Sequence, residues 1–184
     1  YGAILNPAPF PGILDGLRRW HAALEARVDA SSASEQCAGA LDRLMDPWVG
    51  PRTTIMASQL LAAPIGVAMR GAMQSDAAAC VAAFNQAVDR QPTLGVRRLE
   101  AGADGVALPL WVEHEDGLRT ATEADLDGGV LHPKALLVTA LARVGLADLF
   151  IHGLGGWRYD DAMEQWMSDW LGVRPTRRAM VLPR

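Results

Sequence analysis

The segment Asp148-Leu-Phe-Ile-His-Gly-Leu-Gly-Gly-Trp-Arg-Tyr159 sets a histidine at the end of an apolar run, with glycines, an arginine and a tyrosine behind it. This is the pattern of a strand that enters a glycine loop and then a helix. In open α/β sheets, ligands bind beyond the carboxyl ends of strands. Gly153, Gly155 and Gly156 let backbone approach a ligand and adopt positive φ, and the amides that open the following helix favour an anion. His152, at the rim of the strand, is the candidate acid/base catalyst. Gly153, Gly155, Gly156, Arg158 and Tyr159 are the candidate ligand-binding residues. Lys134, the only lysine of the chain, joins them from the first turn of another helix, where a cation opposes the helix dipole. An anionic ligand would rationalise that placement, and a solvated lysine also fits it. The loop keeps a second reading too, as a tight turn whose glycines only permit packing.

Other chemistries fit less well. The dinucleotide fingerprint Gly-x-Gly-x-x-Gly fails because Arg158 stands at its third glycine, and no acidic residue follows near Val173-Arg174-Pro175. A P-loop is excluded by the lack of Gly-Lys-Ser/Thr. The cofactor is therefore unknown. His132 and His152 have no ligating neighbours at metal spacing, and no Gly-x-Ser-x-Gly elbow is present. Cys37 and Cys80 lie on apolar helical faces and read as reduced core thiols rather than nucleophiles. Asp160 and Asp161 read as first-turn carboxylates that complement a helix dipole. Trp166 and Trp170 read as core.

The chain has 184 residues, half of them hydrophobic, and a net charge of −4. With a pI near 5.5, it lacks the basic face of a nucleic-acid binder. Mean hydropathy is +0.08. The longest apolar stretch, residues 56–69, is interrupted by Ser58, Gln59, Pro64 and Gly66, so no membrane span is expected. No secretory leader is visible, which points to the cytoplasm. The absence of an initiator Met suggests the C-terminal portion of a longer protein, with a missing N-terminal region as a partner in the same chain.

The elements that would position the loop follow from periodicity. A helix is expected over residues 13–28, and a second one opens on a Ser32/Glu35 capping box and ends at Asp46-Pro47. Residues 48–52 read as a linker and Thr53–Ala57 as a short strand. Helices follow from Pro64 and from the Ser75-Asp76 cap. Val106–Val112 and Leu118–Thr122 read as a hairpin, with Pro109 placing its strand at a sheet edge. Residues 123–131 read as loop. Pro133 starts a helix closed by Gly145. Leu149–His152 is a strand, Tyr159–Leu171 an amphipathic helix stopped by Gly172, and Thr176–Leu182 a last strand. Alternating strands and helices indicate α/β. The expected organisation is a helical segment over 1–50 and an α/β domain over 51–184.

Pro133-Lys-Ala-Leu-Leu-Val-Thr-Ala-Leu-Ala-Arg143, followed by the 148–159 segment, resembles part of the bacillithiol synthase family, the cysteine-adding enzymes. There a Pro-Arg-x-Leu-Leu helix leads into a hydrophobic strand, a Gly-Gly loop and another helix. The same residues look more like a group of long, uncharacterised bacterial proteins of planctomycete type. Phe84-Asn85-Gln86-Ala87-Val88 and the Val106–Val112 strand are similar to segments of that group. The resemblance implies a Rossmann-like layered sheet with a helical appendage and a ligase that joins cysteine to a glucosaminyl malate. His152 and Trp157-Arg158 have no clear counterpart in the synthases. The expected function is a cytoplasmic protein that binds a small anionic metabolite or nucleotide at the 152–159 loop, with a ligase-like activity as one form of it. The alternative is a non-catalytic scaffold, with the Trp-bearing helix buried against a partner region.

Overall fold

The computed structural model describes residues 12–50, 52–102, 105–152 and 156–180, without the side chains of Ile13 and His152. The protein is mixed α/β, with seven α-helices among the described residues. It divides into two compact units, Tyr1–Met56 and Ala57–Arg184.

The first unit pairs α1 (Ile13–Glu25) with α2 (Ala33–Val49). Ser32 caps α2 as expected: its hydroxyl accepts from the Glu35 amide at 3.2 Å. The Glu35 carboxylate, however, returns to the backbone and hydroxyl of Ser31, one residue earlier than a capping box requires. Asp46-Pro47 does not end the helix. Pro47 lies inside it, and the chain leaves at Gly50, whose φ of 71° suits glycine. The expected strand over residues 53–57 is absent. Thr54 instead donates its hydroxyl to Asp42, and Ala57 already begins a helix. Cys37 is exposed rather than core.

The second unit opens with α3 (Ala57–Ala62), α4 (Pro64–Ser75) and α5 (Ala77–Asp89). Pro64 starts α4 at a position where a missing N–H costs nothing. Asp76 caps α5 by accepting from the Ala79 amide at 2.9 Å. A four-stranded antiparallel sheet follows, made of β1 (Ala101–Gly102), β2 (Gly105–His114), β3 (Gly117–Thr122) and β4 (Leu131–Pro133). The hairpin is β2–β3, as read from the sequence. Pro109 is not on an edge strand, because β2 pairs with all three others. The proline is accommodated by a register shift: four steps from Ala107 to Trp111 oppose two from Thr122 to Thr120, and an irregularity of this kind spares Pro a ladder bond. The expected loop over 123–131 contains a 3₁₀ turn and ends in β4, which closes the other side of β2.

Alternation along β2 sorts the sheet into two faces. Leu108, Leu110 and Val112 are buried with Ala121 and Leu131, whereas Trp111 is exposed. The buried face joins α5, α6 (Ala135–Gly145) and α7 (Trp157–Leu171) in one core. Trp166 is fully buried in it. Its ring meets Phe84 edge-on at 5.2 Å and stacks on Trp170 at 5.7 Å, and its Nε1 donates to the Cys80 carbonyl at 3.2 Å. Thus Trp166 and Cys80 are core, as expected. Burial pushes the Cys80 thiol up to about 12, which suppresses any thiolate.

The last strands, β5 (Phe150–His152) and β6 (Arg178–Met180), form a separate parallel pair on either side of α7 in sequence. The C-terminal end of α7 is closed by Gly172 at φ 65°. No helix among the described residues is long and apolar enough to cross a membrane.

Candidate functional site

Among the described residues, the fold does not bring Lys134 together with Arg158 and Tyr159. His152 ends β5, with its backbone paired to Met180. Gly153 and Gly155 lie outside the described residues. Gly156 is the residue before α7 and sits at φ −80°, a conformation open to any residue. Arg158 and Tyr159 turn to the Pro92–Leu94 turn: Arg158 Nη1 donates to Thr93 Oγ1 at 2.7 Å, and the Tyr159 hydroxyl donates to the Leu94 carbonyl at 3.3 Å. Lys134 is not inside the first turn of α6 but immediately before it, at the N-cap. It reaches across the sheet to Thr120 and Trp111, whereas β5 follows the opposite end of α6.

What the fold assembles instead is a cleft of about 780 Å³ beside α7. Its walls are the outer face of α7, the 173–178 segment, the end of α5 and Arg143 of α6. Five arginines line it, Arg90, Arg143, Arg174, Arg177 and Arg178, against the carboxylates of Asp161 and Glu164. In a chain of net negative charge this is a local excess of cations, and concave walls focus such a field.

The floor is a buried ion network. Asp160 and Arg143 are both fully enclosed, with Arg143 Nη1 3.3 Å from Asp160 Oδ1. Arg143 also donates to Glu164 at 2.7 Å and to the Thr176 carbonyl. Arg178 lies over the Trp157 ring, 3.9 Å from its centroid. It donates to the Trp157 carbonyl at 3.0 Å and to Asp161. Asp160 is therefore not the plain first-turn residue expected from the sequence. Arg143 carried a legible signal: it is the one charged residue in an eleven-residue helix, on the same stripe as Leu136 and Ala140. Such a position demands a buried partner, but the sequence does not say which.

The upper wall is different. Arg174 and Arg177 are exposed, and among the described residues neither has an ionic partner. Arg90 is 3.6 Å from Asp169. Asp161 and Glu164 are held by Arg178 and Arg143, so among the described lining residues the charges without an ionic partner are cations. No His, Cys or Lys is among the described lining residues, and no three metal-ligating side chains come together among the described residues. No family model, curated protein or solved structure matches this chain.

Proposed function

We propose that this is a cytoplasmic binding protein for a small polyanionic metabolite, taken up in the arginine-lined cleft beside α7. The observation that carries the reading is the division of labour among the arginines. Arg143 and Arg178 are consumed by carboxylates and fix the walls, while Arg174 and Arg177 project into the cleft without ionic partners among the described residues. Planar guanidinium groups on a segment whose backbone Arg143 anchors at Thr176 suit bidentate capture of carboxylate or phosphate. On this proposal the anion would lie on the α7–β6 side, next to the segment singled out in the sequence but not on Arg158 or Tyr159. The β5–α7–β6 order, with its parallel strand pair, is the part of the fold that supports a Rossmann-like layering. The malate-bearing acceptor implied by the resemblance to bacillithiol synthases belongs to the anion class that these arginines would take, and ligation would need a second substrate beside it.

The test is thermal stabilisation of the full chain by inorganic pyrophosphate and by malate. A ligand of the native state at about a hundred times its Kd stabilises by roughly 2.7 kcal/mol. Stabilisation should fall with salt and should vanish in R174A/R177A while persisting in R18A. No stabilisation by either anion, or equal stabilisation in the double variant, overturns the proposal.

A second reading has its own observation. In the first unit Leu14, Leu17, Leu41, Met45 and Trp48 are exposed, Trp48 at 71%, which is more apolar surface than an isolated helix pair comfortably shows. A scaffold role predicts concentration-dependent association by light scattering that W48A weakens.

A further inference from the structure

The solvent face of the antiparallel sheet holds a group that the cleft does not use. His132, Trp111 and Thr120 form one row across β4, β2 and β3. Lys134, two residues beyond His132, folds back over that row. Its Nζ stands 4.2 Å from the centroid of the Trp111 ring and donates to Thr120 Oγ1 at 2.9 Å. The side chain is half-buried, and among the described residues it has no ion pair. Its backbone is fixed as well, since the Lys134 amide donates to the Pro109 carbonyl at 3.0 Å.

The charged groups around it are otherwise engaged. Glu113 of β2 and His132 of β4 share this face but hold each other at 2.7 Å. Arg119, the only charged residue of β3, points to the opposite face and grips Asp125. Neither α3 nor the first turn of α6 bears a charge. An amine partly withdrawn from water without a carboxylate to balance it loses its proton more readily than an ordinary lysine. The amino end of α6 acts in the same direction. Burial lowers the Lys134 amine to about 8.

We propose that Lys134 is an acceptor amine for small acyl groups delivered by acyl phosphates, oriented by the Trp111 ring and Thr120. The neutral Nζ attacks the carbonyl carbon. A nitrogen–carbon bond forms, the carbon–oxygen bond to phosphate breaks, the electron pair leaves with inorganic phosphate, and the amine proton passes to water. The positive end of α6 favours an anionic donor, and the exposure of Trp111 leaves the face open to a small one.

Lys134 is the only ε-amine of the chain, which makes the experiment internally calibrated. Introducing a second lysine by Arg97→Lys, at an exposed position, supplies an ordinary amine in the same molecule. The R97K protein is treated with acetyl phosphate from pH 6.5 to 10.5, and both sites are quantified by peptide mass spectrometry. At pH 7.5 the free-amine fraction of Lys134 exceeds that of an ordinary lysine by about two orders of magnitude, and its lower basicity returns about one of them. Acetylation at Lys134 should therefore run about tenfold faster and level off above pH 8, while the introduced site keeps accelerating. Adding W111A should bring the two sites to similar rates. Equal labelling of the two sites in R97K, or an undiminished advantage in the W111A background, overturns the proposal.

Discussion

A charged side chain half withdrawn from water is a stability statement as well as a chemical one. With the Lys134 amine at about 8, against an ordinary 10.5, the unfolded chain holds a proton between those values that the folded chain has released. Stability therefore rises with pH across that window. Below pH 8 both states are charged, and the cost of burying the cation is present in full. K134M should raise the melting temperature at pH 7, with the gain shrinking from pH 8 to 10.5. A gain independent of pH would assign the effect to packing instead of charge. The lysine was conspicuous in the sequence as the single one of its kind, but its partners Trp111 and Thr120 lie 23 and 14 residues away in number. Only strand register brings them under it.

Among the elements, the first turn of α4 passes close against the end of α3 at Gly66. A Cβ on Gly66 would overlap the Leu60 carbonyl oxygen and the backbone of Leu61, neither of which can rotate away. G66A should destabilise by about 1–3 kcal/mol in urea unfolding. G71A, one turn later in α4 with open space around it, should stabilise by about 0.5–1 kcal/mol, since Ala loses less backbone entropy in a helix. The opposite signs separate a steric effect from a propensity effect, and two losses of similar size would refute the steric assignment. Most helices were legible because their caps and apolar stripes are local: Ser32, Pro64, Asp76 and Gly172 act where the sequence places them. The prolines misled. Pro47 is tolerated within α2, and Pro109 sits in a central strand because the β2–β3 register shifts around it.

At the scale of the whole molecule, α6, α7 and the 173–178 segment are tied by a buried ion network rather than by apolar contact alone. Removing Asp160 leaves the buried Arg143 with only the half-exposed Glu164 to balance it. D160A should cost about 3–5 kcal/mol, read as a lower urea midpoint. R143M/D160L removes both charges at once and should recover much of that loss. A double variant as weak as D160A would show that the pair's geometry, not its desolvated charge, holds the segment. The same network sets the cleft, since it positions the backbone on which Arg174 and Arg177 stand.

The amino-acid sequence by itself determined the periodic helices, the β2–β3 hairpin, the strand that ends at His152, and the core status of Trp166 and Cys80. These depend on neighbours within a few residues, where capping and hydrophobic period act. Tertiary structure alone decided which charges are buried and which are free. Asp160 and Asp161 are adjacent and chemically alike, yet one is sealed against Arg143 and the other lines a cleft. Helical twist turns successive residues to different surroundings, and what each then faces is supplied by α6 and β6, brought in from other parts of the chain.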